Sequence, residues 1–223
     1  MISLEDKKYW VAFSQIESLG PLKFKKLYNY FPDLQTAWQA SHGELKTAGL
    51  SDKDVEKIFS QQDSVNPDQE WEKLEKLGIN VITVKDKNYP KLLKEIYSPP
   101  ALLYIKGKLP ENLDFTVAIV GTRKTSIYGR QITPEIVKEL TRAGIVIVSG
   151  LALGIDALAH QSCLESNGTT IAILGCGLDR IYPITNKDLG QRIVEKNGAI
   201  ISCLLYTSPS PRDLSTSRMP SSA

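Results

Sequence analysis

One pattern occurs three times between residues 115 and 202, and it constrains the fold more than any other feature of the sequence. Each copy has a short apolar run, a loop that contains glycine, and an amphipathic segment. The apolar runs are residues 116–120, 145–148 and 170–174, and a fourth run, 199–202, follows the last amphipathic segment. Because short β-branched runs that are apolar on both faces are typical of buried parallel strands, the pattern predicts an α/β fold with a mostly parallel sheet.

The composition allows a true hydrophobic core but indicates no particular partner. The chain has 223 residues, of which 42% are hydrophobic, enough for one sizeable domain and a smaller one. Its net charge is +2, from 27 basic and 25 acidic residues, so a nucleic-acid partner would require a basic surface that is local.

The sequence predicts neither a membrane segment nor a metal site. It has no run of 18 apolar residues, and its first residues lack the apolar core of a signal peptide, so we expect a cytoplasmic protein without membrane contact. Three cysteines without C-x-x-C spacing and only two histidines argue against a disulfide framework and against zinc. We expect no metal and no cofactor.

Residues 1–62 are predicted to form a small all-helical domain of the helix-hairpin-helix or SAM-like kind. Apolar residues recur there at helical spacing, with breaks at Gly20-Pro21 and at 48–52. The first break resembles a helix-hairpin-helix, whose amides can face a phosphate, and Lys23, Lys25 and Lys26 would assist. The alternative is a bundle that only packs, because the second copy of the unit is acidic.

The remainder is predicted as a Rossmann-like domain, residues 63–203, and a disordered tail, residues 204–223. Polar residues 61–67 form the linker, and strands at 80–84 and 101–105 are expected to lengthen the sheet. Helices are predicted near 128–143, 155–167 and 186–197, closed by Gly144, Gly168 and Gly198 respectively. In the tail, Ser, Thr and Pro make up 11 of the 18 residues from 206 onward, a composition that cannot bury enough surface to fold.

The three glycine loops suggest anion binding at the carboxyl edge of the sheet, where open parallel sheets bind ligands. No G-x-G-x-x-G is present, which disfavours a nicotinamide site. In the first loop, Gly121 is followed by Thr122, Arg123 and Lys124, whose cations suit phosphate oxygens. The alternative for any single loop is that its glycines serve only tight turns.

The second and third loops add amides and an aromatic ring. The second loop, residues 149–156, has two glycines four apart that lead into a helix, so we expect free N–H groups and the positive helix end to form an anion cradle. The third loop, residues 175–179, is followed by Arg180 and by Tyr182, a ring on which a base could stack. Asp156 and His160, four apart, suit an ion pair or supporting contacts, and no catalytic residue is assigned.

These motifs together resemble the DprA (Smf) family of DNA-processing proteins. The matching segments are residues 117–123, Tyr128-Gly129, residues 148–156 with Ala159-His160, and residues 173–183 with Asn186. The resemblance implies an extended Rossmann-like fold that binds single-stranded DNA without hydrolysing it, acts as a homodimer, and loads the RecA recombinase in natural transformation. The DNA- or phosphate-binding residues that we predict are Gly121, Thr122, Arg123, Lys124, Ser149, Gly150, Ala152, Gly154, Gly175, Gly177, Arg180, Tyr182 and Asn186.

The resemblance stops after Ser202. Members of the family continue with an acidic residue, a proline-rich loop and an arginine-asparagine-arginine motif, whereas residues 203–206 begin a sequence that looks foreign to the family and joined to a truncated gene. The rival hypothesis is an enzyme of the nucleotide phosphoribohydrolase type, although its P-G-G-x-G-T-x-x-E motif is absent. A third is a domain that senses nucleotides without turnover.

Overall fold

The computed structural model describes residues 2–111 and 113–206, which form ten α-helices and one six-stranded sheet. The helices are α1 Leu4–Ser14, α2 Pro21–Tyr30, α3 Leu34–Trp38, α4 His42–Thr47, α5 Asp52–Gln62, α6 Pro67–Leu77, α7 Lys91–Lys94, α8 Ile127–Arg142, α9 Ile155–Glu165 and α10 Lys187–Glu195. The strands are β1 Ile79–Thr83, β2 Leu102–Gly107, β3 Thr116–Ala118, β4 Val146–Ser149, β5 Thr170–Ile173 and β6 Ala199–Ser202. A 3₁₀ turn, Ile184–Asn186, precedes α10.

The α/β fold with a mostly parallel sheet is confirmed. The strand order is β1-β2-β6-β5-β4-β3, in which β6, β5, β4 and β3 are parallel while β1 pairs with β2, and β2 with β6, in antiparallel fashion. The first two strands therefore extend the sheet, as the sequence predicts. The first apolar run is a shorter strand than predicted, since β3 ends at Ala118, although the Ile119 amide still donates to the Val148 carbonyl.

The N-terminal helices are held together by an aromatic core and by lysines that bind protein oxygens. Trp10 stacks on Tyr28, and the predicted breaks at Gly20-Pro21 and 48–52 separate α1 from α2 and α4 from α5. Lys23 Nζ lies 2.6 Å from an Asp54 carboxylate oxygen, and Lys26 Nζ donates to the Gly49 carbonyl at 2.6 Å. Lys23 and Lys26 thus connect the first helix-glycine-helix unit to the second. This favours a bundle that only packs over a hairpin that contacts phosphate.

The helices end near the three predicted glycines, in two different conformations. Gly144 follows α8 in the left-handed region (φ 74°), whereas after α9 and α10 the left-handed residues are Asn167 and Asn197, not the glycines that follow them. Glycine is required at these two positions because a Cβ would have no room there. A Cβ on Gly168 would lie 2.8 Å from Cys163 Sγ, and one on Gly198 would lie 2.8 Å from the side chain of Ile193.

The two faces of the sheet have different cover. Helices α8, α9 and α10 lie side by side on one face, where Ile147 packs with Val137, Ala159 and Cys163. On the other face, a cavity of about 860 Å³ adjoins strand residues, and one of them, Ile173, is 44% exposed. The loops that follow β3, β4 and β5 emerge at a single edge between these faces.

The helical part and the sheet share one cluster of buried residues. The predicted boundary at 62/63 falls between α5 and α6, and α6 packs on α1 while Ser14 Oγ lies 2.6 Å from the Tyr104 hydroxyl of β2. The domain boundaries remain predictions.

Most of the predicted tail, residues 207–223, lies outside the described residues. Of the tail residues that are described, Leu205 is buried and its carbonyl accepts from the Leu178 amide at 3.0 Å. No helix within the described ranges is long and apolar enough to cross a membrane.

Candidate functional site

The three glycine loops meet at the carboxyl edge of the sheet. Strands β3, β4 and β5 are parallel neighbours, so the first loop (121–124), the second loop (149–156) and the third loop (175–179) leave the sheet side by side. We call this region of the sheet edge, from which they leave, the carboxyl-edge crevice. Helix α9 begins at the end of the second loop, which directs the positive end of its dipole toward the first loop.

Asp156, in the first turn of α9, joins the first two loops. One carboxylate oxygen accepts from the Gly121 amide at 3.3 Å and the other from the Gly150 amide at 3.1 Å, and the residue is only 7% exposed. The Ile155 amide, at the start of α9, donates to the Thr122 carbonyl at 3.2 Å. Two amides of the predicted anion cradle, those of Gly150 and Ile155, and the Gly121 amide of the first loop are therefore already satisfied by the protein itself.

The loop glycines allow the loops to pack on one another. A Cβ on Gly150 would lie 2.7 Å from an Asp156 carboxylate oxygen. Gly154 has φ 86°, and a Cβ there would collide with the backbone of Thr122 and Arg123. A Cβ on Gly121 would meet Ile155 in the same way, and one on Gly177 would meet the backbone of residues 205 and 206. Only at Gly175, among these five, is there open space.

The outer part of the crevice has unsatisfied amides and unpaired cations. In the part of the chain that the structure describes, the amides of Ala152, Leu153 and Gly154 have no hydrogen-bond acceptor. Arg123, Lys124 and Arg180 are exposed and form no ion pair with a described residue. The second-loop amides and exposed guanidinium and ammonium groups on the flanking loops are donors suited to an anion.

The first loop is ordered by its own hydrogen bonds. The Thr122 hydroxyl oxygen accepts from the Lys124 amide at 3.2 Å, and Arg130 of α8 donates to the Thr125 carbonyl at 2.9 Å. The backbone of Arg123 packs against Gly154, which places this cation beside the start of α9. The site residues Thr122, Arg123 and Lys124 are thus held as a fixed turn with exposed side chains.

Two of the predicted site residues face protein carbonyls. Ser149 is 2% exposed and its hydroxyl donates to the Ile119 carbonyl at 2.6 Å. Asn186 is 8% exposed, and its amide nitrogen donates to the carbonyls of Leu151 at 2.9 Å and Ala152 at 3.2 Å. Their geometry supports the backbone of the loops. DNA contact by these two residues stays a prediction from the sequence.

His160 does not form the ion pair that its spacing from Asp156 allows. Its Nδ1 lies 2.7 Å from the Thr170 hydroxyl, and its Nε2 is buried without a hydrogen-bond partner among the described residues. Burial lowers the pKa of His160 to about 4, partly opposed by the negative charge of Asp156. The imidazole is therefore neutral at pH 7 and belongs to the core.

Exposed apolar side chains lie on the segments around the crevice. Tyr182, predicted from the sequence, is 64% exposed after the third loop. Tyr128, which the sequence reasoning did not assign to the site, is 70% exposed in the first turn of α8, whose side chains tilt toward the N-terminal end of the helix. Other exposed apolar residues of these segments are Val120, Leu153 and Ile184. A tyrosine in the first turn after a cationic loop is the signal that could have revealed Tyr128.

Comparison with protein families identifies relatives for this arrangement. The family model for DNA recombination-mediator protein A matches residues 80–218. The Protein Smf of Synechocystis sp. is 42% identical over 204 residues, which are 88% of this chain and 50% of that protein. The chain thus spans about half the length of this relative.

Solved structures agree in fold. The X-ray structure of DNA processing protein A (DprA) from Streptococcus pneumoniae matches 94% of this chain and 72% of that one, with a TM-score of 0.71 and 27% identity. DNA processing protein A from Helicobacter pylori, studied for its single-stranded DNA binding mode, matches 61% of this chain and 60% of that one, with a TM-score of 0.52 and 35% identity. Both matches support a Rossmann-like fold.

Proposed function

Because this chain belongs to the DNA recombination-mediator protein A family, we propose that it binds single-stranded DNA at the carboxyl-edge crevice. The observation that carries the proposal is the combination at one sheet edge of Arg123, Lys124 and Arg180, none of them in an ion pair with a described residue, with acceptor-free amides at residues 152–154. The relative from H. pylori, described as binding single-stranded DNA, supports the choice of ligand.

The proposed contacts divide between phosphates and bases. Arg123, Lys124 and Arg180 neutralise backbone phosphates, and the amides of the second loop donate to phosphate oxygens. Exposed Tyr182 accepts an unstacked base, an interaction worth roughly 1 to 3 kcal/mol per base. A single strand fits this mode better than a duplex because its bases are free to stack on the ring. Binding should be indifferent to base sequence.

We propose binding without turnover, rather than the phosphoribohydrolase chemistry that is the rival hypothesis. The carboxylate nearest the inner crevice, Asp156, is buried and accepts hydrogen bonds from two amides, so it is poorly placed to act as a general acid or base. A direct assay separates the two functions. Incubation with nucleoside monophosphates should release no free base, and release above the level of a heat-denatured control would favour the enzyme.

The binding experiment uses fluorescence anisotropy of a labelled oligonucleotide. The protein should bind an oligothymidine and a mixed-sequence strand with similar affinity, and should bind a duplex of equal length more weakly. Affinity should fall as salt rises, with a slope of about 0.7 per phosphate neutralised in a plot of log K against log[salt]. Tight binding that does not change with salt, or that requires one base sequence, would contradict the proposal.

We further propose that the protein acts as a homodimer and passes the bound strand to the RecA recombinase. The description of the family as a recombination mediator supports the second role. Analytical ultracentrifugation tests the first, since a dimer should sediment at micromolar concentration. For the second, this chain should accelerate RecA assembly on DNA that is covered by a single-strand binding protein. No acceleration over RecA alone would contradict the proposed role.

A further inference from the structure

The inner part of the carboxyl-edge crevice, where the Gly121 and Gly150 amides face α9, contains the negative charge of the Asp156 side chain. The two oxygens of Asp156 each accept one amide hydrogen bond, at 3.3 Å from Gly121 and at 3.1 Å from Gly150, so the carboxylate bridges the first and second loops. It lies in the first turn of α9, where the helix dipole stabilises an anion. This is the chemistry by which loop amides and a helix N-terminus bind a phosphate.

We infer that Asp156 takes the place of a bound anion in the inner crevice and acts as a positioning residue. Its carboxylate holds the first loop against the second, and this places Arg123 where it can contact DNA. The inference rests on the proposed function. It also assigns the phosphates of DNA to the outer crevice, because the inner amides already have an acceptor.

The position of Arg123 follows from this bridge between the first and second loops. The Gly121 amide is held by Asp156, the Thr122 carbonyl accepts from the Ile155 amide at 3.2 Å, and the Arg123 backbone then packs against Gly154. Each of these three contacts joins the first loop to the segment 154–156. Without the carboxylate, the Gly121 and Gly150 amides lose their acceptor and the first loop loses one of its attachments.

A carboxylate is required, and an amide of the same shape is not equivalent. Both donors are N–H groups, so both partner atoms must be acceptors, and an asparagine offers one carbonyl oxygen and one NH₂ group. The substitution D156N would therefore leave one loop amide facing another donor. The close approach of Gly150, where a Cβ would lie 2.7 Å from the carboxylate, shows that the surrounding backbone fits this group tightly.

Rescue by a small anion tests the inference. The variant D156A keeps Cβ and leaves a space of the size of one carboxylate, which formate can fill. We expect D156A to bind a labelled oligothymidine about tenfold more weakly than the parent protein, because the first loop is no longer held in place and must be ordered when DNA binds. Sodium formate should restore most of this affinity, whereas sodium chloride at the same ionic strength should not. The parent protein should show no difference between the two salts.

The control and a second variant separate this role from a purely structural one. Asp188 is also a first-turn acid, in α10, and it is exposed, so D188A should respond equally to formate and chloride. D156N should lose affinity without formate rescue because its side chain still fills the space, and it serves as the test if D156A does not fold. Full DNA affinity in D156N would overturn the inference.

Circular dichroism at the assay temperature shows which molecules are folded. If formate raises the melting temperature of D156A but leaves the DNA affinity of the folded variant unchanged, Asp156 stabilises the fold only and the positioning role is wrong. The parent protein is measured first. If it does not bind single-stranded DNA, the proposed function has failed; if it binds and D156A binds equally well, the inference alone has failed.

Discussion

His160 Nδ1 lies 2.7 Å from the Thr170 hydroxyl, and that hydroxyl donates its own proton to the Ile147 carbonyl at 2.8 Å. Because the hydroxyl proton is already used, Thr170 must accept from the imidazole, which places the ring proton on Nδ1. Nε2 is then an unprotonated nitrogen, buried without a partner among the described residues. Protonation of Nε2 would place a positive charge in the buried core, which is why the pKa of His160 is lowered.

The first prediction is a loss of stability in mild acid that depends on His160. Its pKa is about 4 in the folded protein against an ordinary value of 6.5, so below pH 6.5 the unfolded chain takes up a proton that the folded chain refuses. The free energy of unfolding should therefore fall by about 3 kcal/mol as the pH drops from 6.5 to 4. Urea titrations across this range measure it.

In the variant H160Q, the free energy of unfolding should no longer fall in this way between pH 6.5 and 4, whatever the overall stability of the variant. The matched control is H42Q, since His42 is exposed and stacked on Phe59. The pKa values of Asp33 and Asp54 are lowered by their hydrogen bonds, so these carboxylates titrate below the window. An H160Q protein whose stability falls between pH 6.5 and 4 as steeply as that of the parent would show that His160 is not the group responsible.

The fold was predictable because the apolar pattern of the sequence is strong where the core is. The runs that became β4, β5 and β6 are apolar on both faces, and the glycines after α8, α9 and α10 lie two or three residues beyond the last helical residue. The identity of the left-handed residue was not predictable. At Asn167-Gly168 either residue can adopt positive φ, and the choice depends on Cys163 and Thr141, which pack against the glycine.

The site was predictable in its location but not in its internal contacts. Glycines after parallel strands indicate close approach, but the sequence does not say what approaches. Here Asp156 and Ile155 approach Gly150 and Gly121, so much of the expected cradle serves packing between loops. Asn186 is distant in sequence from the second loop that it supports, and only the folded chain shows that contact.

The second prediction compares two glycines of the crevice. Gly154 has φ 86° and no space for a Cβ beside the Thr122 carbonyl, whereas Gly175 has nothing within 4 Å of that position. The substitution G154A should lower the free energy of unfolding by about 2 kcal/mol or more, since the strained backbone and the displaced loop both contribute. G175A should change it little. Equal stability of the two variants in urea would show that the first loop can move away from Gly154 freely.

The third prediction concerns Arg123. Because its side chain is exposed and forms no ion pair with a described residue, R123A should leave the melting temperature nearly unchanged and weaken DNA binding. Loss of one phosphate contact should also reduce the salt slope by about 0.7. The charge-matched control is R142A, at the other end of α8, where the guanidinium binds Glu139. If both variants weaken binding equally, the effect is one of net charge and Arg123 makes no specific contact.

The last prediction is that Tyr182 stacks on a base, and abasic DNA tests it. The ring is 64% exposed, and stacking on it should contribute roughly 1 to 3 kcal/mol per base. Y182A should therefore bind an oligothymidine about 5- to 150-fold more weakly. On an oligonucleotide of the same length that lacks bases, the parent protein and Y182A should bind equally, because the phosphate contacts remain while the stacking partner is gone.

Three further variants complete this test. Y182F should keep the parent affinity, since stacking requires the ring and not the hydroxyl. Tyr97 is 87% exposed and lies outside the three loops of the crevice, so Y97A should bind both oligonucleotides as the parent does. A defect of Y182A that persists undiminished on abasic DNA would mean that the residue acts through the backbone of the third loop. Y128A, measured in parallel, shows whether the exposed ring at the start of α8 accepts a second base.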